Sequence, residues 1–223
     1  MTAIRDAATV LVVRDATDSG GVEVLMLLRT STLDFSPGAH VFPGGAVDDA
    51  DRAPAAAAVC TGHSDASASA ALGLPSGGLA YFVAAVRECF EEAGVLLGVD
   101  AALVPALQAQ REAVERGTVG FLDAIAAEGA TIAVDALAPF GHWITPPGGT
   151  RRYDTRFFLA VAPPGQIATP DGHEAVTAGW HRPVDLLDAA TSGEIMLILP
   201  TQRSLEAIAA ASSVAEIQAG TAA

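Results

Sequence analysis

The chain has 223 residues, 51% of them apolar, and carries 12 basic residues (every one an arginine) against 26 acidic ones, for a formal net charge of −14. That apolar share supports one sizeable core, while the acidic balance excludes a basic face for sequence-independent nucleic-acid binding. An anionic substrate would have to be met locally, by a cation and a few arginines.

Two cysteines far apart, Cys60 and Cys89, supply neither a disulfide framework nor a zinc cluster. There is no cationic leader followed by an apolar stretch and no apolar run of ~18 residues. A soluble cytoplasmic protein without membrane partners is expected.

In chain order, residues 7–14 are rich in β-branched side chains and predict a strand. Residues 15–21 carry turn chemistry, and residues 22–29 predict a second strand, closing a hairpin whose last residue, Arg29, is expected to face solvent, with a phosphate as the alternative. Pro37-Gly38 and Pro43-Gly44-Gly45 punctuate a loop in which glycine permits close backbone approach. Residues 52–79 are Ala, Ser, Gly and Pro with little periodicity and read as a low-complexity surface excursion, with Cys60 and His63 incidental. Residues 79–86 are good helix formers free of Pro and Gly; the helix ends at Gly94, and residues 95–97 begin a strand. Residues 100–116 and 118–128 predict two helices forming an appendage over 100–130, expected to serve packing alone, with a lid over a bulky substrate as the alternative. Residues 136–145 and 157–161 predict strands, residues 173–180 a loop entering a strand, and residues 183–190 a helix. The last helix covers 201–211 with Thr201 as its N-cap, and the tail after Gly220 is expected to fray.

The chemistry gathers at Arg87-Glu88-Cys89-Phe90-Glu91-Glu92-Ala93-Gly94-Val95. Positions i, i+3 and i+4 share one helix face, so Glu88, Glu91 and Glu92 crowd three negative charges together. Like charges that close call for a cation between them, and a hard oxygen-seeking ion such as Mg²⁺ or Mn²⁺ suits carboxylates. Arg151, Arg152 and Arg156 form the one dense basic cluster, and a guanidinium binds phosphate through two parallel hydrogen bonds.

The stretch resembles the second half of the Nudix box, G-x5-E-x7-R-E-U-x-E-E-x-G-U, with U a bulky apolar residue. Phe42-Pro43-Gly44-Gly45 resembles its entry. Five residues after Gly45 comes Asp51, where the box has Glu. Residues 52–86 then make 35 positions where the box has seven, an excess of 28. A box split in this way, together with the block around Arg151 and Arg152, is similar to the coenzyme A diphosphatase group of Nudix hydrolases. That group's coenzyme A signature places an arginine where this chain has Asp34.

The resemblance implies a single Nudix domain over 1–223: an α/β/α sandwich on a mixed sheet, with extra helices. It implies metal-dependent hydrolysis of a nucleoside diphosphate linked to another moiety, coenzyme A or acyl-coenzyme A first, with ADP-ribose, NADH or dinucleoside polyphosphates as alternatives. A non-catalytic nucleotide-sensing module is the reading from a different class. The implied metal ligands are Glu88, Glu91 and Glu92. Glu91, Glu92, Arg87 (orienting a carboxylate) and Glu174 form the catalytic set, and Gly44, Gly45, Arg151 and Arg152 the substrate contacts. Dimerisation is expected on the resemblance alone.

Overall fold

The computed structural model describes residues 3–17, 20–30, 37–148 and 151–221. The sequence position of the missing signature arginine, Asp34, lies outside them. The expected hairpin forms from β1 (Ile4–Asp15) and β2 (Val22–Arg29), paired antiparallel from Val13↔Val24 to Asp15↔Val22. Alternation on β1 splits the core: Ala8, Val10 and Val12 face one layer, Leu11 and Val13 the other.

Two short strands follow, β3 (Ala39–Val41) and β4 (Gly44–Ala46); β4 carries Gly44 and Gly45 and lies antiparallel along the start of β1, Ala8 opposite Gly45. Residues 52–79 are not the structureless excursion expected. After a single 3₁₀ turn at Ala50–Arg52 they form α1 (Ala55–Val59), β5 (Cys60–Thr61) and α2 (Asp65–Leu72). Small residues conceal periodicity because they add little to any apolar stripe, yet they permit close packing. Ser64 and Ser67 make a reciprocal capping box at the start of α2, and Asp65 accepts from the backbone N–H groups of Gly77 and Leu79.

The helix α3 (Gly78–Ala93) follows. It ends at Gly94 in the left-handed conformation (φ 67°), as the sequence predicts. Residues 95–97 are buried but do not pair as a strand. Their backbone is served instead by one side chain, Gln166, which accepts from Leu96 N–H (2.8 Å) and donates to Leu96 C=O (2.9 Å). The helix expected over 100–116 is broken at Ala109-Gln110 into α4 (Val104–Gln108) and α5 (Arg111–Glu115), and α6 (Phe121–Ala127) completes the appendage.

β6 (Ile132–Ala133) pairs in parallel with β5, away from the main sheet. β7 (Leu137–Ile144) and β8 (Arg152–Val161) form an antiparallel pair, and β8 runs parallel to β1 from Ile4↔Arg152 to Val13↔Val161. β9 (Ala175–His181) pairs with β2. Then come α7 (Pro183–Ser192), β10 (Met196–Leu197) beside β3, α8 (Leu199–Ile208) and α9 (Val214–Thr221). Thr201 is not the N-cap: α8 starts earlier, at Leu199-Pro200, because Pro fits a first turn, and Thr201 is buried inside it. The helix α9 runs through Gly220 and buries Val214 and Ile217.

The result is a mixed, curled eight-stranded sheet among the described residues, with α3 on one face and α8 and α9 on the other. No helix among them is long and apolar enough to cross a membrane. All sixteen residues of α3 are buried except Glu88 and Glu91. One side rests on the sheet, where Phe82 meets Phe158 with ring centroids 4.6 Å apart; α1, α2 and α5 cover the others.

The approach of α2 to α3 is tightest at Gly78, where a Cβ would strike the Ser69 backbone. Gly78→Ala is expected to cost about 1–3 kcal/mol by overpacking, although Ala is the better helix former. Equilibrium urea unfolding measures it, and an unchanged midpoint would mean that α2 does not dock as described.

Candidate active site

The site is built around a buried arginine. Arg87 lies on the last-but-one turn of α3 and is 7% exposed. Its Nε and Nη2 donate to the two oxygens of Asp51, both at 2.9 Å. Nη1 donates to Glu88 Oε1 and to Glu91 Oε2, each at 2.9 Å, and Nη2 also donates to Ala46 C=O at 2.9 Å. These are all five N–H donors of a guanidinium. Burial opposes the charge on Arg87, but the Asp51 hydrogen bonds and the charges of Glu88, Asp51 and Glu91 outweigh it and raise its pKa. Asp51 is 2% exposed and reaches Arg87 because the 3₁₀ turn carries it inward; it also accepts from Asp48 N–H at 2.9 Å.

The three glutamates point where the helix spacing predicts. Glu92 accepts from Gly44 N–H at 2.8 Å through Oε2. Glu88 packs on Gly45 so closely that a Cβ there would stand 2.5 Å from Glu88 Oε1. The two glycines of β4 thus let the sheet edge approach the carboxylates. One oxygen of each glutamate is held, by Arg87 or by Gly44. The others, Glu88 Oε2, Glu91 Oε1 and Glu92 Oε1, have no hydrogen-bond donor among the described residues.

Burial, reinforced by Glu91 and Asp51 and opposed by Arg87, pushes the Glu88 carboxyl up to about 7. Burial raises Glu91 as well, against the pull of Arg87. Burial and the charge of Glu88 raise Glu92, against the Gly44 N–H and Arg29. Among the described residues no three acidic, His or Cys side chains form a ready-made metal cage. The donor set still fits a hard divalent cation: three oxygens without protein donors, on carboxyls whose charged forms lack compensation.

This arrangement can be compared with known proteins. The family described as the NUDT19 Nudix domain matches residues 62–206, well over half of the chain. The chain belongs to the Nudix hydrolase family. A crystal structure of a NUDIX hydrolase from Alicyclobacillus acidocaldarius is similar along nearly its whole length, with a TM-score of 0.78 and 30% identity over 98% of this chain and 97% of that one. The acyl-coenzyme A diphosphatase NUDT19 of Homo sapiens is 31% identical over 236 residues, covering 88% of this chain and 63% of the relative. That of Gallus gallus is 33% identical over 223 residues, covering 80% and 58%. The chain therefore spans less than two thirds of the length of either curated relative.

Within this Nudix domain the structure brings Arg87, Glu88, Glu91, Glu92, Gly44 and Gly45 together. Glu174 joins them from the loop before β9: its charge reaches Glu92, and its carboxylate lies 3.8 Å from Arg29 Nη2. Arg152 opens β8. It pairs with Ile4, two residues along β1 from Asp6, whose C=O accepts from Val47 N–H. Its Nε donates to Thr145 C=O, closing the β7–β8 hairpin. Of the same cluster, Arg156 donates to Leu72 C=O and so fastens α2 to the sheet.

Two further residues at the site lie outside the implied catalytic, metal and substrate sets. Arg29 does not face solvent: its side chain is 16% exposed, and its Nε is buried without a partner among the described residues. Nothing in the sequence around the end of β2 marks that burial. The register five residues after Gly45 locates Asp51 in the sequence, which does not show that it is buried against Arg87.

The Glu88 shift has a definite sign. Its ordinary value is 4.5 and its folded value about 7, so the folded metal-free protein holds a proton that the unfolded chain has lost. Stability of that form therefore falls as pH rises through this window. Thermal unfolding in a chelator across the range tests this, and Glu88→Gln is expected to flatten the slope.

Proposed function

We propose that the chain hydrolyses the diphosphate of a nucleoside diphosphate linked to another moiety, with coenzyme A or an acyl-coenzyme A as substrate. The carboxylate set of Glu88, Glu91 and Glu92 carries the reading: one oxygen of each is pinned and the other lacks a protein donor. These three residues would hold Mg²⁺ or Mn²⁺, which when bound neutralises the diphosphate and acidifies a water for attack on phosphorus.

The chain's own residues supply the rest. Arg87, with every donor committed, fixes Glu88 and Glu91 and does not touch substrate. Gly44 fixes Glu92 and, with Gly45, keeps the floor of the site free of side chains. Glu174, more than half exposed beside Arg29, accepts the proton of the attacking water. Arg29 offers a positive charge next to the carboxylates, where a diphosphate would otherwise be repelled. Arg152 Nε already donates to Thr145 C=O, and neither Arg151 nor Arg152 has a role at the reacting phosphorus in this reading. The names of the NUDT19 relatives support the coenzyme A assignment.

Products resolved by mass after incubation with Mg²⁺ and coenzyme A, acetyl-coenzyme A, ADP-ribose, NADH or diadenosine polyphosphates test the substrate. Adenosine 3′,5′-bisphosphate is expected from the first two, whereas AMP from ADP-ribose or NADH with coenzyme A untouched would overturn the choice. Glu92→Gln is expected to lose Mn²⁺ affinity and turnover together. Glu174→Gln is expected to lose about a hundredfold in kcat with Mn²⁺ affinity unchanged; equal effects of the two on metal binding would remove Glu174 from the base role.

A further inference from the structure

Glu91 and Glu92 occupy the last turn of α3. Helix carbonyls there lack intrahelical donors, and the helix dipole is negative, so two carboxylates at this end have the unfavourable sign. A frayed last turn would also lose the spacing between them. The backbone turn at Gly94 satisfies the first two carbonyls: Gly94 N–H donates to Phe90 C=O at 2.9 Å and Val95 N–H to Cys89 C=O at 3.3 Å.

The carbonyls beyond are served from outside the helix. Thr169 N–H donates to Ala93 C=O at 2.8 Å, and the Gln108 side chain donates to Gly94 C=O. Glu91 C=O receives Arg111 Nη2 at 2.7 Å and Nε at 3.3 Å. Arg111 comes from α5, in the appendage. A Cβ at position 94 would stand 2.6 Å from Arg111 Nη1, so Gly94 is needed for room as well as for its φ. Glu115, one turn along α5, holds the Arg111 Nε at 2.6 Å. The charges of Asp171 and His173 act on Glu115, and Asp171 accepts from the backbone N–H groups of His173, Glu174 and Ala175. The Arg111–Glu115 pair thus faces both the carboxylate turn and the loop that presents Glu174.

We propose that Arg111 is a positioning residue for the hydrolysis: from outside the catalytic motif it holds the Glu91 carbonyl, and so fixes the last turn of α3 and the spacing of the Glu91 and Glu92 carboxylates. The inference rests on the reading of those carboxylates given above. It assigns part of the helical appendage to the catalytic machinery rather than to packing alone.

The test compares wild type with Arg111→Ala, Arg111→Lys and, as a control at the C-cap of α5, Arg116→Ala, whose exposed side chain pairs with Glu112. Three quantities are measured: amide hydrogen exchange at Gly94 and Val95 in the metal-free protein, Mn²⁺ affinity by paramagnetic resonance titration, and kcat and KM for acetyl-coenzyme A. Arg111→Ala is expected to speed exchange at both amides about tenfold, weaken Mn²⁺ about tenfold and lower kcat with little change in KM. Arg111→Lys keeps the charge without the forked donor, should recover part of each loss, and serves in place of Arg111→Ala if that variant does not fold. Arg116→Ala should match wild type. Unchanged exchange and Mn²⁺ affinity in the Arg111 variants would overturn the inference, as would equal losses in Arg116→Ala. Wild-type protein that binds no Mn²⁺ and forms no product would instead overturn the hydrolase reading, and the positioning role with it.

Discussion

A single buried guanidinium organises this protein. Arg87 joins three pieces of chain far apart in sequence: the end of β4 through Ala46, the 3₁₀ turn through Asp51, and its own helix through Glu88 and Glu91. A charge this deep is tolerated because every donor is bonded and acids surround it. Such a pairing resists the loss of either partner, since the charge left behind would be buried and uncompensated. Asp51 shows how this constraint absorbs a sequence change. Its side chain is one carbon shorter than the family's Glu, and the backbone turn brings it within 2.9 Å of two Arg87 nitrogens.

The carboxylates and the arginine are not balanced. Arg87 brings one positive charge to Asp51, Glu88 and Glu91, while Glu92 has Gly44 N–H and the more distant Arg29. Burial is the main cause of the raised pKa values of all three box glutamates, and the surplus of neighbouring negative charge adds to it. An overall charge of −14 does not preclude an anionic substrate, because the relevant field is local and low-dielectric surroundings strengthen it. Arg29, Arg87 and a cation on the free carboxylate oxygens together would supply it.

Both additions to the simple motif serve α3. Residues 52–79 wrap α1 and α2 around its outer side, with Gly78 and Ala68 allowing near contact of backbones. The 100–130 segment covers its C-terminal half and supplies side-chain caps from Gln108 and Arg111. The helix α3 is therefore enclosed, with polar exposure confined to Glu88 and Glu91. Enclosure of this kind holds side chains in fixed rotamers and leaves the helix little freedom to shift against the sheet.

The sequence by itself determined the hairpin of β1 and β2, the helix ending at Gly94, the carboxylate face and the α/β class. These follow from local rules, namely apolar periodicity, glycine's access to positive φ, and i, i+3, i+4 geometry. The split box register even located Asp51. Only the tertiary structure decided the rest. Small residues gave no periodicity for α1 and α2, whose order comes from close packing and the Ser64 cap. A side chain 70 positions away, Gln166, replaced the strand partner that residues 95–97 were expected to find. Arg29, expected at solvent, is largely buried beside Glu174, and Arg152 closes a hairpin, because strand register and packing, not residue type, set an arginine's surroundings. Arg111 lies in a segment that reads as mere packing, and its contact with Glu91 exists only because α5 folds back across the end of α3.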